Sequence, residues 1–317
     1  MVATTFGLKY SSNIGFATDQ GGRGFQLPAH IAMRKDKRIF VASRGRGPTV
    51  GVQMVSREFE FFGKIGSQGK ADGQMLEPSA IAFDSDQNLY VSDEKLDRIT
   101  RLDPRGENID SWGVSGERPG ELSRPTGLLI HDDVVYVTDA MNHRIQRYHT
   151  DGRYIDQLNS GKTAESQLNY PWGLTNGIRD DIYVADWGNN RVQKFDSDGN
   201  YLSSFGYSEE PEACLNHPAH VAIDSDGDVY VTDWGNNRVQ IYEPDGEIIA
   251  SLYGDADDYS KAGLYVLHRD PESIKKVRQN PDPMQYLATF GKPTGITITK
   301  DNRIIIADTR CLSLIHI

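Results

Sequence analysis

The sequence predicts an all-β fold: a six-bladed β-propeller of four-stranded antiparallel blades, with a short α-helical insertion between blades 5 and 6. Three observations lead to this prediction: an internal repeat, a proline that recurs in every repeat unit, and a composition rich in turn formers. The 317 residues include 31 glycines and 15 tyrosines, and no long apolar run interrupts them. This composition is typical of many short strands joined by tight turns.

The repeat is clearest in two stretches, 182–195 and 229–242, which read Ile-Tyr-Val-Ala-Asp-Trp-Gly-Asn-Asn-Arg-Val-Gln-Lys-Phe and Val-Tyr-Val-Thr-Asp-Trp-Gly-Asn-Asn-Arg-Val-Gln-Ile-Tyr. Weaker copies contain Asp93 and Asp139. The aspartates at 93, 139, 186 and 233 are separated by 46, 47 and 47 residues. A fixed period of this length indicates a solenoid or a propeller.

Recurring prolines confirm the register of the repeat. In each unit a proline precedes the apolar run, and 14 or 15 residues later comes the repeat aspartate, or a serine in the first unit. The six pairs are Pro28 with Ser43, Pro78 with Asp93, Pro125 with Asp139, Pro171 with Asp186, Pro218 with Asp233, and Pro293 with Asp308. Six pairs predict six units.

One unit divides into four short strands, here named a to d. In the fifth unit, 221–223 is strand a, the Asp-Ser-Asp-Gly segment at 224–227 is a hairpin turn, and 229–232 is strand b. Residues 238–242 form strand c, and Pro-Asp-Gly at 244–246 turns the chain into strand d. Alternating apolar residues between Asp, Gly and Pro clusters favour hairpin-connected strands. Four strands per unit are typical of a propeller blade.

The Val-Tyr-Val-x-Asp and Asn-x-Arg-(Ile/Val)-Gln segments resemble the NHL repeat, and the resemblance covers nearly all of the chain. It implies a single propeller domain over residues 1–311. The first unit departs from the pattern, because Ser43 replaces the aspartate and Pro48 stands where the repeat arginine belongs. Residues 9–15 align with strand d and are expected to complete blade 6.

Two segments lie outside the repeat. The spacing between Pro218 and Pro293 indicates an insertion at about 255–287, where Asp270-Pro271-Glu272 is typical of a helix start. We therefore predict a helical hairpin there. Residues 312–317 resemble the translation of a DNA-library adapter, and we interpret them as a non-native tail on a truncated blade 6, able to pair as a surrogate strand c.

Charge and cysteine content restrict the function classes. The formal net charge is −11, which disfavours nucleic acid and anionic membranes as partners. Two cysteines, Cys214 and Cys311, lack the spacing of a disulfide framework or zinc motif. The first residues lack a basic region followed by an apolar stretch. The expectation is a monomeric cytoplasmic protein that binds a protein, peptide or small molecule.

Candidate ligand-binding residues gather on the propeller face that carries the b–c and d–a loops. Two residues after each proline, where the channel mouth favours small residues, stand His30 and His220. Together with the irregular loop at Arg44 and the insertion that contains His268, they outline a site around blades 5, 6 and 1. Three tryptophans could form an aromatic rim for a ligand or pack between blades: Trp172, Trp187 and Trp234.

Two functions follow from these residues. The first is a non-enzymatic binding scaffold. The alternative is a metal-dependent lyase or hydrolase, because the sequence partly resembles peptidyl-hydroxyglycine amidating lyase and gluconolactonase-like propellers, which hold metals at the channel mouth. On that alternative His30 and His220 are the metal ligands and the cofactor is a divalent metal. In the lyase the histidines directly follow the proline, whereas here Ala29 and Ala219 intervene. The repeated Asp and Arg residues are expected to fasten strands b and c.

Overall fold

The computed structural model describes residues 12–14, 25–58, 60–158, 163–254, 289–309 and 313–316, and for 12–14 and 313–316 it describes the backbone alone. The described residues contain 24 β-strands and five short 3-10 turns.

Five blades consist of four consecutive antiparallel strands each. Blade 1 contains β2 (Pro28–Met33), β3 (Ile39–Ser43), β4 (Gly51–Val55) and β5 (Phe61–Ile65). Blade 2 contains β6 (Pro78–Phe83), β7 (Leu89–Asp93), β8 (Arg98–Leu102) and β9 (Asn108–Trp112). Blade 3 contains β10 (Pro125–His131), β11 (Val134–Asp139), β12 (Arg144–His149) and β13 (Tyr154–Gln157). Blade 4 contains β14 (Pro171–Asn176), β15 (Ile182–Asp186), β16 (Arg191–Phe195) and β17 (Tyr201–Phe205). Blade 5 contains β18 (Pro218–Ile223), β19 (Val229–Asp233), β20 (Arg238–Tyr242) and β21 (Ile248–Leu252).

The remaining strands form a composite sheet that we call the closing sheet. It contains β22 (Pro293–Ile298), β23 (Ile304–Asp308), β24 (Ser313–His316) and, at its edge, β1 (Ser12–Ile14) from the other end of the chain. The prediction of six blades with a helical insertion therefore needs correction, since five rather than six blades are built from consecutive strands. Three strands follow residue 289. The last of them, β24, lies in the segment 312–317 and pairs with β23, as expected for a surrogate strand c, and the fourth strand comes from the N-terminal region.

The helical part of the prediction is also corrected. The described residues contain no α-helix, and the segment predicted to form the helical hairpin, 255–287, lies outside them. The five 3-10 turns are three residues long each: Gly47–Thr49, Ala140–Asn142, Trp187–Asn189, Pro211–Ala213 and Trp234–Asn236. None of these turns is long and apolar enough to cross a membrane, and neither is any other helix of the described residues.

The first strands of the five blades and β22 contact one another in a closed ring. The core lies between neighbouring sheets, because alternate side chains of a strand point to opposite faces. In β15, Ile182 and Val184 pack on the blade 3 side, in a cluster that includes Leu129. Tyr183 and Ala185 pack on the blade 5 side, in a cluster that includes Val221. Apolar residues on both faces of one strand thus join three blades.

Candidate functional site

The repeat aspartates fix the loops of the channel-mouth face. Asp186 is fully buried and accepts hydrogen bonds from Asn169 N at 2.7 Å, Asn189 Nδ2 at 2.8 Å and Arg191 Nε at 2.8 Å. Asp139 and Asp233 make the same three kinds of contact. The carboxylate therefore ties the d–a loop to the b–c turn, which confirms the expected structural role of the repeat Asp and Arg residues.

The b–c turns also hold the residue that precedes each proline. Asn190 and Asn237 end their turns in the left-handed conformation, which asparagine adopts more easily than most residues. Their side-chain oxygens accept hydrogen bonds from the backbone N–H groups of His217, at 2.8 Å, and Lys292, at 3.2 Å. Each turn thereby positions a side chain of the following sheet at the channel mouth.

A cavity of about 250 Å³ occupies the channel mouth. Side chains from all five blades and the closing sheet reach it, together with backbone of the d–a loops. Its lining residues are Leu27, Ala29, His30, Arg44, Ser79, Thr126, Trp172, Gly173, Ala219, His220, Trp234, Thr294 and Thr309. Five of the seven residues predicted as ligand-binding candidates therefore line one cavity: His30, Arg44, Trp172, His220 and Trp234. The sixth, Trp187, packs against two of these, and the seventh, His268, lies outside the described residues.

Hydroxyl groups connect neighbouring sheets around this cavity. Ser79 Oγ donates to the carbonyl of Pro125 at 2.8 Å, and Thr126 Oγ1 donates to the carbonyl of Pro171 at 3.0 Å. Thr294 Oγ1 of the closing sheet donates to the carbonyl of Pro28 at 3.0 Å. Each hydroxyl satisfies a carbonyl at the start of the next sheet, where the strand register is interrupted by a bulge.

His30 and His220 meet at the cavity, with their Nε2 atoms 2.7 Å apart. The backbone N–H of Ile81 lies 3.4 Å from His30 Nδ1 and donates to it. The Ile81 contact favours a proton on Nε2 of His30, which donates it to Nε2 of His220. The His220 proton is then on Nδ1, which has no hydrogen-bond partner among the described residues. Both imidazoles are neutral in this arrangement, because a second proton on His30 would face the Ile81 N–H.

Burial keeps both imidazoles uncharged. Each side chain is 7% exposed. Desolvation lowers the pKa of His220 from 6.5 to about 4. Desolvation, followed by the proximity of His220 and of Arg44, lowers the pKa of His30 well below 6.5. The pair is therefore a polar, uncharged part of the cavity wall near neutral pH.

Two glycines make room for the strands that carry these histidines. A Cβ on Gly173 would lie 2.2 Å from Cδ2 of His220, and a Cβ on Gly295 would lie 2.8 Å from Cα of His30. Neither distance is compatible with a side chain. Gly173 thus makes room for the His220 ring, whereas Gly295 makes room for the backbone around His30.

Three tryptophans form a continuous aromatic wall, which we call the tryptophan wall: Trp172, Trp187 and Trp234. The ring centroids of Trp172 and Trp187 are 6.0 Å apart, and those of Trp187 and Trp234 are 6.4 Å apart. The His217 ring packs 4.0 Å from the Trp187 ring at an interplanar angle of 56°. The distances between the tryptophan rings lie within the range of favourable aromatic pairs. The tryptophans therefore pack on one another across blades 4 and 5, and Trp172 and Trp234 also line the cavity.

A cation lies at each end of the tryptophan wall. The Arg44 guanidinium lies 5.8 Å from the Trp172 ring centroid, and Lys292 Nζ lies 4.1 Å from the Trp234 ring centroid. Arg44 Nη2 also donates to the buried carboxylate of Glu94, which accepts a second bond, of 2.7 Å, from Arg124 Nη2. The Glu94 carboxylate thus forms ion pairs with two guanidinium groups.

The proposed metal ligands do not form a metal site with the described residues. Zinc sites have at least three protein ligands, with Zn–N distances of about 2.0–2.1 Å. Two nitrogens on a tetrahedral zinc would be about 3.3 Å apart at those bond lengths, whereas the Nε2 atoms of His30 and His220 are in hydrogen-bond contact. No cluster of three or more His, Cys, Asp or Glu residues in the described parts of the chain could hold a metal.

Sequence reasoning missed five residues of this region: Glu94, Arg124, Tyr170, His217 and Lys292. Their positions in the repeat could have identified them. Four of them directly precede a repeat proline, and Glu94 directly follows a repeat aspartate. At the position after the aspartate or its serine replacement, the six units carry Arg44, Glu94, Ala140, Trp187, Trp234 and Thr309. This position varies widely within a regular repeat, so the side chain that it contributes to this face differs from sheet to sheet.

Comparisons with known proteins agree with this architecture. The NHL repeat model matches residues 168–195 and 215–242. Protein brain tumor of Drosophila melanogaster is 28% identical over 115 residues, which are 35% of this chain and 11% of that protein. Peptidylglycine alpha-amidating monooxygenase of Rattus norvegicus is 27% identical over 150 residues, which are 44% of this chain and 15% of that protein. A gluconolactonase of Xanthomonas campestris superposes with a TM-score of 0.62 and 14% identity, covering 98% of both chains.

The ring of four-stranded sheets around a channel-mouth cavity defines the chain as a β-propeller. The repeat matches in blades 4 and 5 and the similarity to the curated relatives support an NHL-type β-propeller. The matched segments span about one tenth to one seventh of the curated relatives' lengths. The gluconolactonase likeness concerns the fold alone.

Proposed function

We propose that the protein is a binding scaffold that holds a protein, peptide or small-molecule ligand at the channel mouth. The observation that carries this proposal is that side chains from three blades line one cavity: Arg44, Trp172, Trp234 and the His30–His220 pair. The loops that bring them there are fixed by buried aspartates, so the site is preorganised. Ligand sites in proteins are commonly such apolar concavities with a few convergent polar groups.

The tryptophans provide a direct test of this proposal. Three of the four tryptophans of the chain form the tryptophan wall, and the fourth, Trp112, packs against Tyr148 with ring centroids 4.6 Å apart. Binding at the channel mouth should therefore change the intrinsic fluorescence. We would screen peptides and metabolites by fluorescence on the wild type, Trp172→Leu and His220→Ala, with Trp112→Phe as the matched control.

A ligand of the channel mouth should bind the wild type and Trp112→Phe equally and bind the two cavity variants at least about tenfold more weakly, a difference of about 1.4 kcal/mol. Ligands whose affinity is the same for all four proteins would contradict the proposed site. Circular dichroism of each variant separates loss of binding from loss of folding.

A metal-dependent lyase or hydrolase at the same mouth is the second candidate. The observation that favours it is that two imidazoles line one cavity, where a bound metal would replace their mutual hydrogen bond, and two similar proteins are an amidating monooxygenase and a gluconolactonase. Metal analysis of protein expressed with zinc, iron and calcium tests it. Stoichiometric metal that disappears in the His30→Ala and His220→Ala double variant would replace the scaffold proposal. Protein free of these metals would argue against the enzyme.

A further inference from the structure

We propose that the channel mouth selects an aromatic carboxylate, with the flat apolar group against the tryptophan wall and the carboxylate on Arg44. This inference rests on the proposed binding function and adds the chemical class of the ligand.

The apolar part of the cavity suits a flat ring. Trp172 and Trp234 line it, and Ala29 and Ala219 leave space at the positions directly after their prolines. An aromatic ring that packs beside an indole is stabilised beyond the burial of its area. The Nε2 atoms of His30 and His220 hydrogen-bond to each other. The pair is therefore a polar part of the cavity wall that carries no charge.

The charge of the cavity favours an anion. Arg44 is the one formally charged residue among those that line it. Its partner Glu94 is shared with Arg124, so this group of three side chains has a net charge of +1. Lys292 adds a second cation at the far end of the tryptophan wall. The chain as a whole has a net charge of −11, so the mouth differs in sign from the rest of the protein.

Arg44 has hydrogen-bonding capacity left for a ligand. Its Nη2 donates to Glu94, whereas its Nε finds no acceptor among the described residues. An unpaired buried donor is costly. After a small rotation of the guanidinium, a carboxylate that enters the cavity would supply the missing acceptor in a charge-assisted bond.

A cationic ligand fits the same wall less well. Aromatic residues often bind cations on their ring faces, but Arg44 and Lys292 already lie within 5.8 and 4.1 Å of the outer tryptophan rings. A third cation between them would be repelled by both. The arrangement of cations at the two ends of the wall therefore favours an anion over an ammonium group.

The test compares two probes of equal size that differ in charge, 3-phenylpropionate and 3-phenylpropionamide, by isothermal titration calorimetry. We expect the carboxylate to bind at least about tenfold more tightly, which corresponds to about 1.4 kcal/mol. Arg44→Gln should remove this preference, because it should lower the affinity for the carboxylate and leave the affinity for the amide unchanged. Trp172→Leu should lower the affinities for both probes by similar factors. Arg153→Gln, at an exposed arginine paired with Asp151, is the control and should bind both probes as the wild type does.

Because Arg44→Gln also leaves Glu94 with one partner, Lys292→Gln provides a second variant in which the Glu94 contacts are intact. Lys292→Gln should lower the affinity for the carboxylate by about two- to fivefold, as expected for the loss of a charge beside the site. An amide that binds as tightly as the carboxylate would overturn the inference, as would the failure of both probes to bind at millimolar concentration. A different result would overturn the proposed binding function: no ligand of any class whose affinity decreases in Trp172→Leu or His220→Ala.

Discussion

His30 Nε2 lies 2.7 Å from His220 Nε2, and this hydrogen bond joins blades 1 and 5 between residues 190 positions apart in the sequence. Blades 1 and 5 are not neighbours, since both flank the closing sheet. The pair therefore spans the channel mouth across that sheet. Its neutral, buried state links the stability of the ring to pH.

We expect acidification to destabilise the protein through these imidazoles. Burial lowers the pKa of His220 from 6.5 to about 4, so between these values the unfolded chain binds a proton that the folded chain does not. The contribution of neutral His220 to the free energy of unfolding is fully present above about pH 6.5. It decreases by roughly 3 kcal/mol as the pH falls to about 4. His220→Asn should reduce the pH dependence of the urea midpoint between pH 7 and 4.5.

His149→Asn, at an exposed histidine, is the control for this experiment and should retain the wild-type pH dependence. Parallel stability curves for the wild type and His220→Asn would show that the imidazole is not buried in its neutral form.

Removal of a repeat aspartate should destabilise the protein strongly. Asp233→Ala deprives Arg238, which is 3% exposed, of the carboxylate that accepts its Nε at 2.7 Å. Loss of one partner of a buried pair costs about 3–5 kcal/mol. Chemical denaturation should show this loss for Asp233→Ala, whereas Asp151→Ala, at an exposed ion pair, should change stability by less than about 1 kcal/mol. Equal effects of the two substitutions would contradict the structural role of the repeat aspartate.

The steric match between Gly173 and His220 predicts coupling between these positions. Gly173→Ala places a Cβ 2.2 Å from the imidazole, and such overpacking costs about 1–3 kcal/mol. In His220→Ala the ring is absent and the close approach to the Ala219 carbonyl, at 2.7 Å, remains, so Gly173→Ala should cost less in that background but should still destabilise. A double-mutant cycle on unfolding free energies measures the difference. Additive effects would show that the two side chains do not share this space.

The hydroxyl of Thr126 should contribute to the junction of blades 3 and 4. Thr126→Val keeps the shape of the side chain but leaves the carbonyl of Pro171 without its 3.0 Å donor, which should cost about 1–3 kcal/mol. Thr175→Val is the matched control, because the Thr175 hydroxyl makes only a 3.5 Å contact with a neighbouring carbonyl. Thermal unfolding of both variants compares the two effects, and a Thr175→Val loss as large as that of Thr126→Val would refute the assignment.

The sequence by itself determined the repeat, the strand order within each blade and the face that carries the candidate site residues. These features depend on local chemistry: apolar alternation, Asp-Gly turns, and an aspartate whose partners Asn189 and Arg191 follow it within five residues. Five of the seven predicted ligand-binding residues could be placed at the cavity because the period assigns each of them to the same level of a blade.

Only the tertiary structure decided which side chains meet. The contact of His30 with His220, the sharing of Glu94 by Arg44 and Arg124, and the cations at both ends of the tryptophan wall arise between different blades. No local pattern specifies such contacts, because they depend on how the sheets close into a ring. The position of β1 at the edge of the closing sheet, in contrast, was expected from the sequence, because residues 9–15 align with strand d of the other units.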